Sequence, residues 1–509
     1  MKTNTRTQYS AKNTSVSIIS RIIAILMGFI TRVVFTHMLS ESYVGVNGLF
    51  TDILNVLALS ELGIDTAITF VLYRPIAEGN QEEQKSLMHL YRWLYRMVAA
   101  FLVVGGLAVI PFMDVLIKNR PNVDHLIVIY LLYLLNSALS YLLIYKRTLI
   151  DAHQMMYIGI VYQTVFLVLQ DILQIIILLF SKNFILFLLI YIMCTLGGNI
   201  CISRKANQLY PFLKEKDIKP LSNQKRKEIF KNVRAMLMHK IGDVVVNNTD
   251  NLLISSFVGI TSVGYYSNYY LIIGSIRQVL DQIFEGITAS VGNLGATEEP
   301  GRVKRVFESA HFVGQWLYGF AAICLFELLN PFVELSFGEN YLFHRQIVLI
   351  LCINFLINGM RKATLVFRDS LGLFWFDRYK AIVEAVINLI VSILLVKQFG
   401  VVGVFLGTFI STILTSAWVE PYILYKHHLG TTSKPYFYRY MRYVVVIGLI
   451  WWLTDLLCQM VGGSLVVLLF KRLFICLIVP NLIMTGVYIK TKEFQFILAK
   501  VRDIVKRRK

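Results

Sequence analysis

Arg21 and Arg32 sit in a stretch, Val16 to Leu39, that is otherwise apolar enough to cross a membrane. They are eleven residues apart, about three helical turns, so both point to one side of a helix. A charge at the bilayer centre costs about 2.5–3.5 kcal/mol even on the lenient insertion scale. Two on one face imply that the face looks into protein or water. Lys240 repeats the arrangement inside a later apolar stretch, Met236 to Val258. Interior cations of this kind suit a path for something anionic.

Other polar residues share these apolar stretches. Lys240, Asp243, Asn247 and Asp250 fall at spacings that put them on one helix face, widened by Asn248, Thr249 and Asn251. They form either a cavity wall for a charged headgroup or coupling ion, or an interhelical clamp. Glu61 and Asp65, four apart, stack. Two such carboxylates in a low-dielectric site do not both ionise easily, which suits a proton carrier or a cation site. Near a wet surface the pair needs no function. Gln163, Gln170 and Gln174 share a face, with Asp171 adjacent. Amides donate and accept together, which suits either a hydroxyl-rich ligand or interhelical bonding. Arg277, Asp281 and Glu285 can pair within one helix. Asn354, Asn358 and Arg361 share another face, with Lys362 beside Arg361, and Glu384 and Asn388 lie four apart.

The elements that must position these groups are membrane helices. Hydrophobic residues make up 56% of the 509, charged residues 16%, and mean hydropathy is +0.61. The pattern predicts an all-α polytopic membrane protein with about fourteen spans: 16–38, 44–72, 94–115, 124–145, 156–180, 184–203, 234–258, 263–292, 307–332, 346–367, 379–397, 401–425, 438–460 and 464–489. The net charge of +19 follows topology rather than nucleic-acid binding. With the N-terminus inside, only Lys118, Arg120, Lys182, Arg345 and Lys397 fall on outer loops, and most other cations fall on inner loops and tails. Both termini are then cytoplasmic, and the basic tail Lys500–Lys509 lies against anionic lipid.

The longest inner connection, Arg204 to about Lys231, is dense in Lys and broken by Pro220. It predicts a six-helix lobe over 1–203, a basic cytoplasmic linker over 204–233, a second six-helix lobe over 234–427, and two further spans with a basic tail over 428–509. The lobes echo each other 219 residues apart: Val44-Gly45 maps onto Val263-Gly264, Ile68-Thr69 onto Ile287-Thr288, Phe180 onto Phe399 and Arg21 onto Lys240. An even number of spans per lobe makes this a parallel repeat, a common transporter plan. The first apolar stretch is too long for a cleaved signal and lacks a small-residue cleavage site. The six cysteines show no metal-ligand spacing and read as core residues. The chain has no GxxxxGK[ST] phosphate loop, HExxH or GxSxG, so neither an enzyme, a metal nor a cofactor is expected.

Three stretches carry a resemblance. Glu61–Glu83 (ELGIDTAITFVLYRPIAEGNQEE) resembles the second span and following loop of polysaccharide exporters. Phe367–Ser411 resembles the region around that family's eleventh and twelfth spans, and Val263–Ser267 (VGYYS) the start of the eighth. With fourteen spans, the chain resembles Wzx-type lipid-linked oligosaccharide flippases, in the superfamily that includes MATE drug exporters and lipid II flippases. Many relatives carry a proline late in the eighth span, where this chain has Thr288-Ala289-Ser290-Val291. The resemblance implies a V-shaped pair of six-helix bundles, plus two C-terminal helices. It implies alternating access in the cytoplasmic membrane, and an oligosaccharide on undecaprenyl diphosphate as substrate. On that reading Arg21, Arg32, Lys240 and Arg361 serve the diphosphate. Glu61, Asp65, Asp243, Asn247, Asp250, Gln163, Gln170 and Gln174 are the coupling-ion or polar-cavity candidates, with H+ or Na+ as coupling ion. Expected partners are membrane lipids, a glycan polymerase and glycosyltransferases, without nucleic acid.

Two other functions compete. A MATE-like exporter of small organic cations predicts a cavity of acids and aromatics, whereas the first span carries only bases. A membrane enzyme of glycan assembly needs a sizeable exposed loop, and the outer loops are short.

Overall fold

The computed structural model describes residues 6–58, 71–72, 75–76, 78–118, 123–215, 217–223, 226–227, 229–230, 249–285, 287–373, 376–377 and 379–507. Glu61, Asp65, Lys240, Asp243 and Asn247 lie outside the described residues. Among those described, every regular element is helical, and eleven helices are long and apolar enough to span a membrane. They correspond to all the expected spans except the second, seventh and eighth. The second and seventh run partly through residues not described. The eighth, rich in Tyr, Ser and Asn, is too polar to qualify. The chain folds as two compact units, Met1–Gly264 and Tyr265–Lys509.

The first unit holds α1 (Arg6–Met38), α2 (Glu41–Leu57), α3 (Gln81–Val109), α4 (Leu126–Ala152), α5 (Met156–Ser181) and α6 (Phe184–Leu209). Local signals set the boundaries. Asn80 caps α3 by accepting from the Glu83 amide at 3.0 Å, and Glu82 and Glu83 sit at the positive end of the helix dipole. Lys182 turns left-handed (φ 51°) to end α5, and Asn183 accepts from the amides of Ile185 and Leu186 to start α6. Helix α1 packs along α5, and α4 packs between α3 and α6.

One end of this unit has a core of Leu87, Met88, Tyr91, Tyr95, Leu149, Ile150 and Ala206, closed by Tyr210, Phe212 and Ile229. Elsewhere the unit turns apolar side chains outward, among them Met97, Phe101, Val104 and Leu107 on α3. A surface of that composition suits hydrocarbon, where helices satisfy their own backbone hydrogen bonds. After the linker, a short helix (Asp250–Leu253) runs into a π turn (Ile254–Val258) and ends at Gly259, φ 143°. This segment ties to the same unit: Ser255 donates to the Leu116 carbonyl at 2.7 Å, and Lys118 to that of Phe257 at 2.6 Å. Gly45 on α2 is needed there, because a Cβ would lie 2.1 Å from the Ile260 oxygen.

The unit boundary falls in α7 (Ile260–Glu285). The second unit continues with α8 (Thr288–Thr297), α9 (Pro300–Phe337), α10 (Arg345–Ser370), α11 (Lys380–Phe399), α12 (Val401–Leu414), α13 (Ser416–His427), α14 (Lys434–Gln459), α15 (Leu465–Tyr488) and α16 (Lys492–Arg507). Helix α9 has 38 residues, about 57 Å at 1.5 Å each, and packs on α10 and α15. Two expected spans are interrupted. The span over 263–292 stops at Glu285 and restarts at Thr288, in the absence of a proline. The span over 401–425 breaks at Thr415 (φ −126°, ψ −84°). There the Thr415 hydroxyl bonds back to the Ser411 carbonyl at 2.6 Å, and Pro421 removes a ladder donor one and a half turns later.

Candidate substrate cavity and buried ion network

Within the first unit, α2, α4, α5 and α6 enclose a cavity of about 280 Å³. Helix periodicity builds its wall. Asn47, Thr51 and Asn55 recur every fourth residue on α2, and Gln170 and Gln174 do so on α5. Asn136 and Ser137 come from α4, with Tyr133, Phe187 and Tyr191 as aromatic lining. The lining is polar but uncharged. Gln170 donates to Gln174 at 3.3 Å, Gln174 to the Phe187 carbonyl at 3.1 Å, and the Tyr133 hydroxyl to Asn47. Tyr191 bonds Asn136. Gln170, Gln174 and Asn47 are therefore oriented before any ligand arrives, which lowers the cost of ordering on binding.

Charged groups stand behind this wall. Arg32, half-buried on α1, lies over Phe35 at 6.0 Å, and Phe35 packs edge-on against the lining residue Phe187 at 5.3 Å. It is also near enough to act electrostatically on Tyr133. Asp52 on α2 accepts from Asn251 at 2.7 Å and from Asn55. Asp171 is buried on α5, which packs along α1. Asp250 is buried beside this group's Asn251. Arg21 is exposed on the unit's surface among Ile18, Ile22 and Leu26. Gln163 is exposed as well and takes no part in the lining.

The second unit contains a separate, densely paired cluster. Arg361 on α10 meets Glu420 on α13 side-on, with Nη2 at 2.7 Å and Nε at 3.2 Å, and donates to Asn358 at 3.0 Å. Glu420 is fully buried and is also bound by Lys380, with Arg368 at 3.7 Å. Arg368 and Lys380 share Asp377. Glu384, 4.0 Å from Arg361, accepts from Thr412 at 3.2 Å and from Ser416. Arg361 is thus held by carboxylates, and its guanidinium is committed to structure in this conformation. Nearby, Lys362 bridges Asp281 (3.2 Å) and Glu285 (3.3 Å), and Asn388 bonds Thr408 at 3.0 Å.

Of the residues singled out from the sequence, Gln170 and Gln174 line the cavity and Arg32 stands behind it; the remaining lining residues were not among them. The signal for Asn47, Thr51 and Asn55 was their repeat of four in an apolar stretch. Glu420 was missed too; a lone acid ahead of Pro421 in the twelfth span was its mark. Among the described residues no cluster has the ligands for a metal ion, and all six cysteines are free thiols.

This architecture is that of a multi-pass helical membrane protein. The chain is similar to lipid II flippase MurJ in an inward closed conformation, with a TM-score of 0.64 at 13% identity over 94% of this chain and 98% of that one. It is similar to an inward-facing multidrug resistance MATE family transporter of the MOP superfamily (0.60, 14%, 78% and 92%). It also resembles the Vibrio cholerae MATE transporter VcmN in its bent form (0.52, 13%, 83% and 98%). At these identities the likeness is one of fold. No curated protein matches the chain. Residues 10–286 match the polysaccharide biosynthesis protein family, and the chain belongs to that family.

Proposed function

We propose that this protein flips a lipid-linked oligosaccharide across the cytoplasmic membrane for surface polysaccharide synthesis, by alternating access. The observation that carries this reading is the uncharged amide- and hydroxyl-lined cavity of the first unit, in a member of a polysaccharide biosynthesis family. Amides paired with aromatic rings are what sugar hydroxyls and ring faces require. Arg32 stands behind that wall, where it can serve a diphosphate; Arg21 and Lys240 are further candidates. Undecaprenyl diphosphate is the proposed carrier, with both termini cytoplasmic. An inside-negative potential contributes about 4.6 kcal/mol per 100 mV toward expelling a dianion. Coupling to H+ or Na+ through Glu61, Asp65, Asp243, Asn247 or Asp250 adds to that drive.

The test is transport in proteoliposomes holding a fluorescent lipid-diphosphate oligosaccharide, read by a membrane-impermeant reductant. Inner-leaflet label should become reducible with active protein and stay protected with Arg32→Ala. Protection that is unchanged by the wild-type protein, together with uptake of a fluorescent organic cation, would replace this reading with cation export.

A further inference from the structure

The described residues between 211 and 230, which follow α6 within the first unit, form a strap against the start of α3. Ser86 donates to the Lys219 carbonyl at 2.6 Å, and Lys85 is held between Glu82 and Glu215, each at 2.9 Å. Phe212 and Ile229 anchor the strap's two ends in the aromatic core. Between strap and helix lies a cavity of about 300 Å³, whose lining includes Ser86, Trp93, Lys219, Pro220 and Arg226. Its lining differs from that of the first cavity: it includes the cations Lys219 and Arg226 beside the apolar Leu90, Trp93, Ile218 and Leu221.

Two observations define what fits. The first is charge. Lys85, beside the cavity, is paired with two glutamates, and Lys219 and Arg226 are the cations of the lining. Lys219 is 76% exposed and only 4.0 Å from Glu82, a contact that water largely screens. Arg92 and Arg96, both exposed on α3, extend the basic surface. The second is the surface leading away from it. Trp93 is 47% exposed at the cavity, followed along α3 by Met97, Phe101 and Val104 at helical spacing, all exposed. Helix α3, with 29 residues, is about 43 Å long, against a hydrocarbon core of about 30 Å. Its charged first turns therefore reach headgroup level, with Trp93 at the interface, where Trp is favoured.

We propose that this cavity holds the headgroup of an anionic phospholipid, with its acyl chains laid along the Trp93–Met97–Phe101–Val104 stripe. Lys219 and Arg226 hold the phosphate, and the backbone at Pro220 and the Ser86 side chain limit headgroup size. A bound lipid bridges strap and helix. The site is separate from the substrate cavity and does not depend on what the protein transports.

Trp93 supplies the probe. The full-length protein is placed in nanodiscs of phosphatidylcholine with a small fraction of brominated phosphatidylglycerol or brominated phosphatidylcholine. The Trp93 contribution is the fluorescence lost in Trp93→Phe. The relative affinity read from that quenching should favour the anionic lipid by about 25-fold, the product of two interfacial cations at about fivefold each. Lys219→Gln and Arg226→Gln should each reduce that preference by about fivefold, as one interfacial cation contributes. Arg302→Gln, an exposed arginine of the second unit, should leave it unchanged. Equal quenching by both lipids would overturn the proposal, as would full preference in the Lys219→Gln, Arg226→Gln double variant. Displacement of the brominated lipid by water-soluble glycerol phosphate at equal concentration would also overturn it, since the acyl stripe would then contribute nothing.

Discussion

Glu420→Gln tests whether the second unit is built around its ion network. The substitution keeps shape and removes one charge. Glu420 is fully buried, binds Arg361 through both Nη2 and Nε, and binds Lys380. Removing its charge leaves two buried cations short of a partner. Breaking a buried pair this way costs about 3–5 kcal/mol. For a unit of this size each kcal/mol moves the midpoint by about 2–4 °C, so thermal unfolding in detergent should begin about 6–20 °C lower. The exposed Glu339→Gln should unfold with the wild type. A second arm separates charge from packing: Arg361→Met with Glu420→Gln should cost less than the sum of the two single changes, because the double variant leaves fewer charges stranded. The reasoning is refuted if Glu420→Gln unfolds within about 2 °C of the wild type, or if the double variant is simply additive.

Three further outcomes follow from particular contacts. Gln174→Leu removes the amide that links Gln170 to the Phe187 carbonyl, and should cut glycolipid flipping at least tenfold while thermal stability changes by no more than about 1–2 kcal/mol. Gly45→Ala places a methyl 2.1 Å from the Ile260 oxygen and should destabilise the first unit by about 1–3 kcal/mol, read as a lowered unfolding midpoint. His153, at the end of α4, is held below the usual histidine range by burial, against a smaller upward pull from the Leu149 carbonyl. Folding therefore favours its neutral form. Its contribution is complete above about pH 6.5 and is lost as pH falls through the lowered value. Wild type should lose more stability between pH 7.5 and 5 than His153→Gln does, and parallel curves would contradict this.

The spans were legible because the bilayer sets their rules. Length and hydropathy define eleven of the fourteen expected helices without tertiary information. Asn80, Asn183 and Gly259 mark boundaries by local chemistry alone. The break at Thr415 was less legible. Pro421 is visible in the sequence, but the ladder opens six residues earlier, where a hydroxyl back-bond and the buried Glu384–Ser416 contact act together.

The candidate site divides the same way. Spacing alone put Gln170 and Gln174 on one face of α5. It could not choose between a ligand wall and an interhelical clamp, because a helix face has no meaning until its neighbour is known. Packing of α2, α4 and α6 made that face line a cavity and drew in Asn47, Asn55, Asn136 and Tyr191. Packing also gave Arg361 a partner 59 residues away, so a cation that looked available from sequence is already neutralised. The sequence by itself determined that this is a helical membrane protein with charges in its interior, because hydropathy and topology are one-dimensional quantities. Which of those charges stand beside a cavity, and which are answered by a carboxylate from another helix, only the tertiary structure decided. Electrostatic energy depends on distances of a few ångströms between residues far apart in the chain.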